Sequence, residues 1–195
     1  MTEQVDTTTP TGALTGKQVA TLMGNLNPAR VVELDKGKGG KLKYLEAWDV
    51  KASLIRVFGF ANFSAEVTES QIINVVPEGE SVTVLAKATV RLTIHATGAV
   101  YTESAAASQK GRQVGEVADF ALKTAESDAL KRCAIYLGTQ FGLSLYNNGS
   151  TADVVRVVLD PEQNALLADH SREQEAKKAA AEAQVQDAFK TGETA

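Results

Sequence analysis

The chain has 195 residues, 44% of them hydrophobic, with one cysteine, two histidines and a formal charge of −4. That is enough for one domain with a real core plus extensions, and the balance suits a soluble globular fold. One cysteine excludes an internal disulfide, and with two distant histidines it makes no zinc cluster, so Cys133 reads as a small core residue.

The charge is unevenly spread. Residues 150–195 hold nine acids and five bases, which leaves residues 1–149 with fifteen of each. The body is therefore neutral, and a nucleic-acid partner stays open. Residues 30–56 carry seven bases (Arg30, Lys36, Lys38, Lys41, Lys43, Lys51, Arg56) against four acids (Glu33, Asp35, Glu46, Asp49). This local excess permits phosphate binding without requiring it. No signal peptide, lipidation motif or apolar run of membrane-spanning length is present, so a cytoplasmic location with no membrane partner is expected.

Residues 1–14, rich in Thr and Gly, read as a flexible arm. Thr15 is placed to cap a short helix whose apolar side is Val19, Leu22, Met23 and Leu26, ending near Asn27 and Pro28. Arg30 to Leu34 reads as a strand and Lys41 to Tyr44 as its return, joined by a glycine-rich basic turn that includes Lys36 and Lys38. Such a turn can bring backbone amides and lysines to a phosphate, or be only a mobile hairpin tip. Gly12 to Gln18 comes nearest to a nucleotide-binding phosphate loop, but it is one residue short and lacks the Ser or Thr after Gly16 and Lys17 that would hold magnesium. No use of ATP is expected.

From Leu45 to Phe58 the period is helical, with Ala47, Val50, Leu54, Val57 and Phe58 on the buried side before Gly59 stops it. Trp48 reads as a core anchor rather than a stacking platform. Residues 63–76 are strand-like and lead to a turn signal at Pro77, Glu78, Gly79 and Glu80. The clearest strand runs from Ser81 to His95. Val82, Val84, Ala86, Ala88, Val90, Leu92 and Ile94 face one way; Thr83, Lys87, Thr89, Arg91, Thr93 and His95 face the other, with Leu85 the exception. At about 3.3 Å per residue this strand is on the order of 50 Å long. Thr97 and Gly98 turn the chain, and residues 99–107 return beside it. Lys87 and Arg91, on the opposite face, serve as edge protection or for solubility.

The longest helical pattern runs from Glu116 to Phe141. Ala118, Leu122, Ala125, Ala129, Cys133 and Tyr136 share one face, while Glu116, Lys123, Ser127 and Lys131 lie on the other. A face of small residues lets a helix approach a sheet closely. Asp119 with Lys123 and Asp128 with Arg132 are i,i+4 pairs in the favourable orientation, so Lys131 and Arg132 are held on a rigid support. By spacing alone this polar face is more often a solvated surface than a phosphate-binding one. The fold class implied is α+β: a curved antiparallel β-sheet with a long β-hairpin, packed against a long helix.

After Gly142 the pattern fades. Val154 to Leu159 is a short apolar run, and Asp160 with Pro161 starts a short helix. Residues 171–195, rich in Ala, Glu, Lys and Gln without an apolar stripe, read as a solvated or frayed helix. An acidic tail of this kind is commonly inert; it can also hold a partner or shield a nucleic-acid site. Catalytic constellations are missing: His95 and His170 have no Ser or Cys nucleophile at a recognisable spacing, and Glu78 with Glu80 sits in an ordinary turn. No enzyme activity, cofactor or metal is expected.

Three stretches, in order and spacing, resemble the hallmarks of the Rad fifty-two family of single-strand annealing proteins. They are Gly39–Gly40–Lys41–Leu42–Lys43–Tyr44–Leu45–Glu46, then Phe58–Gly59–Phe60, then Ala125 to Gly138 with Asp128, Leu130, Lys131 and Arg132. The resemblance covers about residues 28–147. It implies an oligomeric ring in which each subunit supplies a curved sheet and a helix, with single-stranded DNA in a basic groove around the outside. It also implies ATP-independent annealing of complementary strands in recombination and double-strand break repair. By motif position Lys131 and Arg132 correspond to the family's backbone-contacting basic pair and Arg30 to another such arginine; Lys38, Lys41, Lys43 and Lys123 complete the candidate DNA-binding set. A third basic residue expected one turn later is Ile135, the Gly-rich segment after the second hairpin strand reads Ser104–Ala107, and the secondary duplex-binding lysines have no clear counterparts. Residues 15–149 are then the annealing and oligomerising domain, and residues 150–195 an acidic tail able to hold a recombinase or single-strand binding protein. Small members of this family are often carried by bacteriophages and prophages, which suits this length.

Overall fold

A computed structural model describes residues 14–35, 37, 40–154, 165, 169, 172–173 and 175–182. The arm before Leu14, the run Val154–Leu159 beyond its first residue, the start of the helix at Pro161 and Lys38 lie outside the described residues.

Helix α1 (Gly16–Leu22) begins where expected. Thr15 accepts from the Gln18 backbone N–H at 3.3 Å and donates its own backbone N–H to Gln18 Oε1 at 2.8 Å, a reciprocal capping box. Gln18 also donates to the Val57 carbonyl at 3.1 Å, which ties α1 to the end of the second helix. Pro28 opens a single 3₁₀ turn through Arg30, capped by Asn27, so the first strand starts at Val32 rather than at Arg30. Strands β1 (Val32–Asp35) and β2 (Lys41–Tyr44) form an antiparallel hairpin with Leu34 opposite Leu42. Helix α2 (Ala47–Phe58) follows and stops at Gly59, whose φ of +90° suits a residue without Cβ. Its inner side is Val50, Leu54 and Phe58, as the period required, joined by Asp49 and Ser53. Trp48 is a correction: it is 66% exposed on the solvent side of α2, its indole N–H held by Glu46, because Asp49 next to it takes the inward position.

Strands β3 (Phe63–Glu78), β4 (Ser81–Ile94) and β5 (Ala99–Gly111) make an antiparallel sheet in the order β3-β4-β5. Central β4 obeys its alternation, and all seven residues of the apolar face are buried. Strand β3 has sixteen residues against fourteen in β4. The surplus is Thr68 and Ile73, which sit at two bulges and have no partner across the ladder.

Helix α3 (Val114–Ile135) lies over β4 and β5. Its buried stripe is Val117, Ala121, Ala125, Ala129 and Cys133 at i,i+4 spacing, with Leu130 and Ala134 beside it. Ala118 and Leu122 flank the stripe instead of leading it, and Tyr136 is exposed, so the packed face is rotated by about one residue from the expected one. Three clusters result along the helix: Val117 and Ala121 on Val82, Val84 and Ala86; Ala125 on Ala88 and Ala107; and Ala129 with Cys133 in the main core around Leu54, Leu92 and Phe141. The helix ends at Ile135, short of Phe141, because Gly138 turns the chain at φ +98° into two short 3₁₀ turns, Thr139–Phe141 and Leu143–Tyr146. That segment is packed rather than patternless: Phe141 and Thr139 are buried, and Gln140 Nε2 donates to the carbonyls of Gly24 and Asn25.

Because α3 covers β4 and β5, the helix side of β3 is left open. Val67, Ile72 and Val75 stand opposite the buried Val90, Ala86 and Val84, hence on the same face, yet are 48%, 44% and 43% exposed. Among the described residues no helix is long and apolar enough to cross a membrane, and no group of three His, Cys, Asp or Glu is placed to hold a metal ion.

Candidate nucleic-acid interface

The small hairpin and the solvent side of α3 from Phe120 to Ile135 face one another across an open groove of about 800 Å³. Pairing in β1–β2 puts Val32, Leu34, Leu42 and Tyr44 on one face and Glu33, Asp35, Lys41 and Lys43 on the other. The apolar face of the hairpin forms one wall through Leu34, Leu42 and Tyr44. The opposite wall is the solvent side of α3, with Phe120, Thr124, Asp128, Lys131, Arg132 and Ile135. Leu45, Val50 and Phe141 make the floor, and Tyr146 stands at the rim.

The helix fixes its two cations from behind. Cys133 Sγ–H donates to the Val90 carbonyl at 3.2 Å, and burial holds its thiol above the usual range, so it stays a protonated packing group. Lys131, two positions back, turns toward the groove, where Asp128 Oδ1 lies 2.6 Å from its ammonium and the Tyr44 ring centroid 5.6 Å away. The latter is within cation–π range and links the two walls. Arg132 is more open, its Nε 3.7 Å from Glu103 Oε2 on β5. The expected Asp128–Arg132 pair is thus replaced: Asp128 takes Lys131 and Glu103 takes Arg132.

Lys43 also borders the groove, although its side chain leaves the outer face of the hairpin. Its Nζ donates to the Gly149 carbonyl at 3.3 Å, and its stem lies where a Cβ on Gly149 would come within 2.8 Å of Cδ. Lys41 lies in the adjoining cleft between the hairpin and residues 145–149, paired with Glu33 at 2.6 Å, a hydrogen bond that raises the lysine's pKa. Lys123 is exposed two turns earlier on α3 and paired with Asp119 at 2.7 Å. Lys131, Arg132 and Lys43 are therefore brought to one groove, with Lys41 beside it and Lys123 further along the helix.

Arg30 is placed differently. Its Nη2 donates to Asp49 Oδ2 at 2.8 Å, to Ser53 Oγ at 2.6 Å and to the Gln140 carbonyl at 2.9 Å, while Nη1 donates to Gln140 Oε1 at 3.0 Å. Arg56 approaches the same carboxylate from outside, 3.1 Å from Asp49 Oδ1. Asp49, only 3% exposed, thus anchors two guanidiniums and fastens α2 to the turn before β1 and the turn after α3. The sequence signal for this node is the spacing Asp49–Ser53–Arg56, a polar stripe at helical period on an otherwise apolar side.

Two further placements depart from expectation. The β3–β4 register puts Ser64 Oγ 2.8 Å from His95 Nε2, with His95 Nδ1 3.1 Å from the Ala61 carbonyl, so His95 does meet a serine, at the exposed end of the sheet. Tyr136, expected in the packed face of α3, lies flat on Tyr101 with ring centroids 5.2 Å apart and planes inclined by 5°. Its hydroxyl donates to Glu103 Oε1 at 2.8 Å, a bond that raises the phenol above its ordinary pKa.

No curated protein matches the chain. The profile of the Rad52/22 family double-strand break repair protein matches residues 15–164, well over half the sequence, and spans the hairpin, the three-stranded sheet, α3 and every described wall of the groove. With that match over this α+β architecture, the chain belongs to the Rad52/22 family of double-strand break repair proteins.

Proposed function

We propose that the groove between the β1–β2 hairpin and α3 binds single-stranded DNA by its phosphates, and that the protein anneals complementary strands without ATP as a compact, phage-type member of its family. The observation that carries this reading is convergence: Lys43 from one element and Lys131 and Arg132 from another line the same open groove. Phe120, Tyr44 and Tyr146 line it as well. Cations interleaved with aromatic rings suit a single strand, whose bases offer π-faces whatever the sequence. Ring assembly is supported by the open side of β3, where a long edge strand carries an uncovered Val67–Ile72–Val75 stripe that a second copy can bury. Lys131, Arg132, Lys43 and Lys41 are the phosphate contacts in this reading, with Lys123 extending the track along α3; Arg30 holds the groove's base together through Asp49.

The test is the double variant Lys131→Ala with Arg132→Ala. Gel shift with a labelled oligonucleotide and an assay with two complementary oligonucleotides should both fail, while the oligomer seen by light scattering is retained. An unchanged gel shift overturns the assignment. Binding by the unaltered protein without annealing would make it a coat for single-stranded ends, and no binding at low salt would leave a self-assembling structural role resting on β3.

A further inference from the structure

The Tyr101–Tyr136 stack is the one aromatic pair among the described residues whose rings are held in contact, and strand binding as proposed above does not use it. Tyr101 stands opposite the buried Leu92, so it projects from the helix side of the sheet at the outer strand β5. Tyr136 caps α3 and covers it. The Tyr136 ring is fixed on one face by Tyr101 and at its hydroxyl by Glu103, yet the residue remains 61% exposed. A ring stacked on one side and this exposed keeps its second face open to solvent. Glu103 is shared with Arg132, one helical turn earlier and itself a wall of the groove. An immobilised ring face therefore lies one turn from a phosphate-seeking guanidinium, at the groove's edge.

We infer that Tyr136 is a nucleobase platform: one base of the bound strand stacks on its open face while Arg132 takes an adjoining phosphate, leaving Glu103 to the phenol. This rests on the strand-binding reading of the groove. Immobilisation matters, because a ring already ordered by Tyr101 and Glu103 loses no rotamer freedom when a base settles on it. An offset stack of three rings extends the geometry the two tyrosines already adopt. A platform of this kind recognises the π-face, so it is indifferent to base identity but requires a base. A merely structural clasp between α3 and β5 requires none.

The experiment compares a short oligothymidylate with an oligonucleotide of equal length built entirely of abasic sites, using the full chain and its Tyr136→Ala and Tyr136→Phe variants. Fluorescence anisotropy should show Tyr136→Ala binding oligothymidylate about five- to a hundredfold more weakly, the range for losing one stacked base. Tyr136→Phe, which keeps the ring, should stay close to the unaltered protein, and all three should bind the abasic strand alike. Should the alanine variant fail to fold, Tyr136→Leu keeps apolar bulk on Tyr101 and takes its place. Equal weakening on both strands, or none on either, overturns the platform while leaving the groove reading intact. Failure of the unaltered protein to bind either strand overturns the groove reading, and the platform with it.

Discussion

Asp49 shows how a buried charge is handled at the scale of a residue. It is 3% exposed and accepts from Arg30 and Arg56, so its removal strands a half-buried guanidinium whose remaining partners are neutral. Breaking such a pair costs about 3–5 kcal/mol when both members are fully buried. Arg56 is largely exposed here, which lowers the figure, and Asp49→Ala should cost about 2–3 kcal/mol. Urea unfolding should show a lower midpoint with an unchanged slope; an unmoved midpoint contradicts the account. Arg30→Ala should act through the same node, lowering stability, with a smaller effect on strand affinity at low temperature than Lys131→Ala in parallel gel shifts. A larger effect than that of Lys131 would return Arg30 to direct contact with the strand. None of this could be weighed from the sequence, where Arg30 is matched by motif position to a strand-contacting arginine. Its hydrogen bond to Gln140, 110 positions away, is visible only in the fold. Lys131 and Arg132 were legible as a solvent-side pair because helical period alone sets their direction.

At the scale of elements, the buried face of β4 was readable and that of α3 was not, for one reason. Valine, leucine and isoleucine alternating with polar residues, with Leu85 the one exception, leave no choice of face, whereas a helix with alanines at 118, 121, 125, 129 and 134 offers several equivalent ones. Packing chose Val117–Ala121–Ala125–Ala129–Cys133, the stripe that brings helix and sheet closest, and Tyr136 was left outside. The closeness itself is testable. Ala125 is completely buried between Ala88 and Ala107, so Ala125→Leu has no room and should cost about 1–3 kcal/mol by overpacking. Thermal unfolding should register a clear drop in Tm; a neutral result would mean that the helix floats above the sheet. The end of α3 was overestimated because Thr139, Gln140 and Phe141 prolong a plausible helical pattern, and only the backbone at Gly138 breaks it.

For the whole molecule, the outer face of the sheet contributes to the response to acid. Hydrogen bonds from Lys87 and Thr89 hold the Glu69 carboxyl below its ordinary value, and those from Lys110 and Thr83 do the same for Glu78. Both carboxyls therefore bind protons less readily in the folded chain than in the unfolded one. Their contribution is present in full above the ordinary value of 4.5 and is lost as pH falls through the lower folded values. The urea midpoint should fall on acidification below about pH 4.5, and less steeply in a Glu69→Gln, Glu78→Gln variant; equal steepness would assign the acid response to other groups. Salt acts on the groove instead. With Lys43, Lys131 and Arg132 each meeting a phosphate, the logarithm of strand affinity should fall with the logarithm of salt at a slope of about 2 per subunit, and a slope near zero would exclude phosphate contact.

The surplus of Thr68 and Ile73 bears on how copies of this chain can join. A flat outer lane of sixteen residues with uncovered Val67, Ile72 and Val75 is the kind of template on which fibrils grow. Two kinks divide that lane into runs 63–67, 69–72 and 74–78, each shorter than seven residues and each aimed differently. A neighbour can match such a contour only in one register and at one tilt. In the ring proposed above, growth by addition along this strand would then curve and close on itself instead of extending without limit.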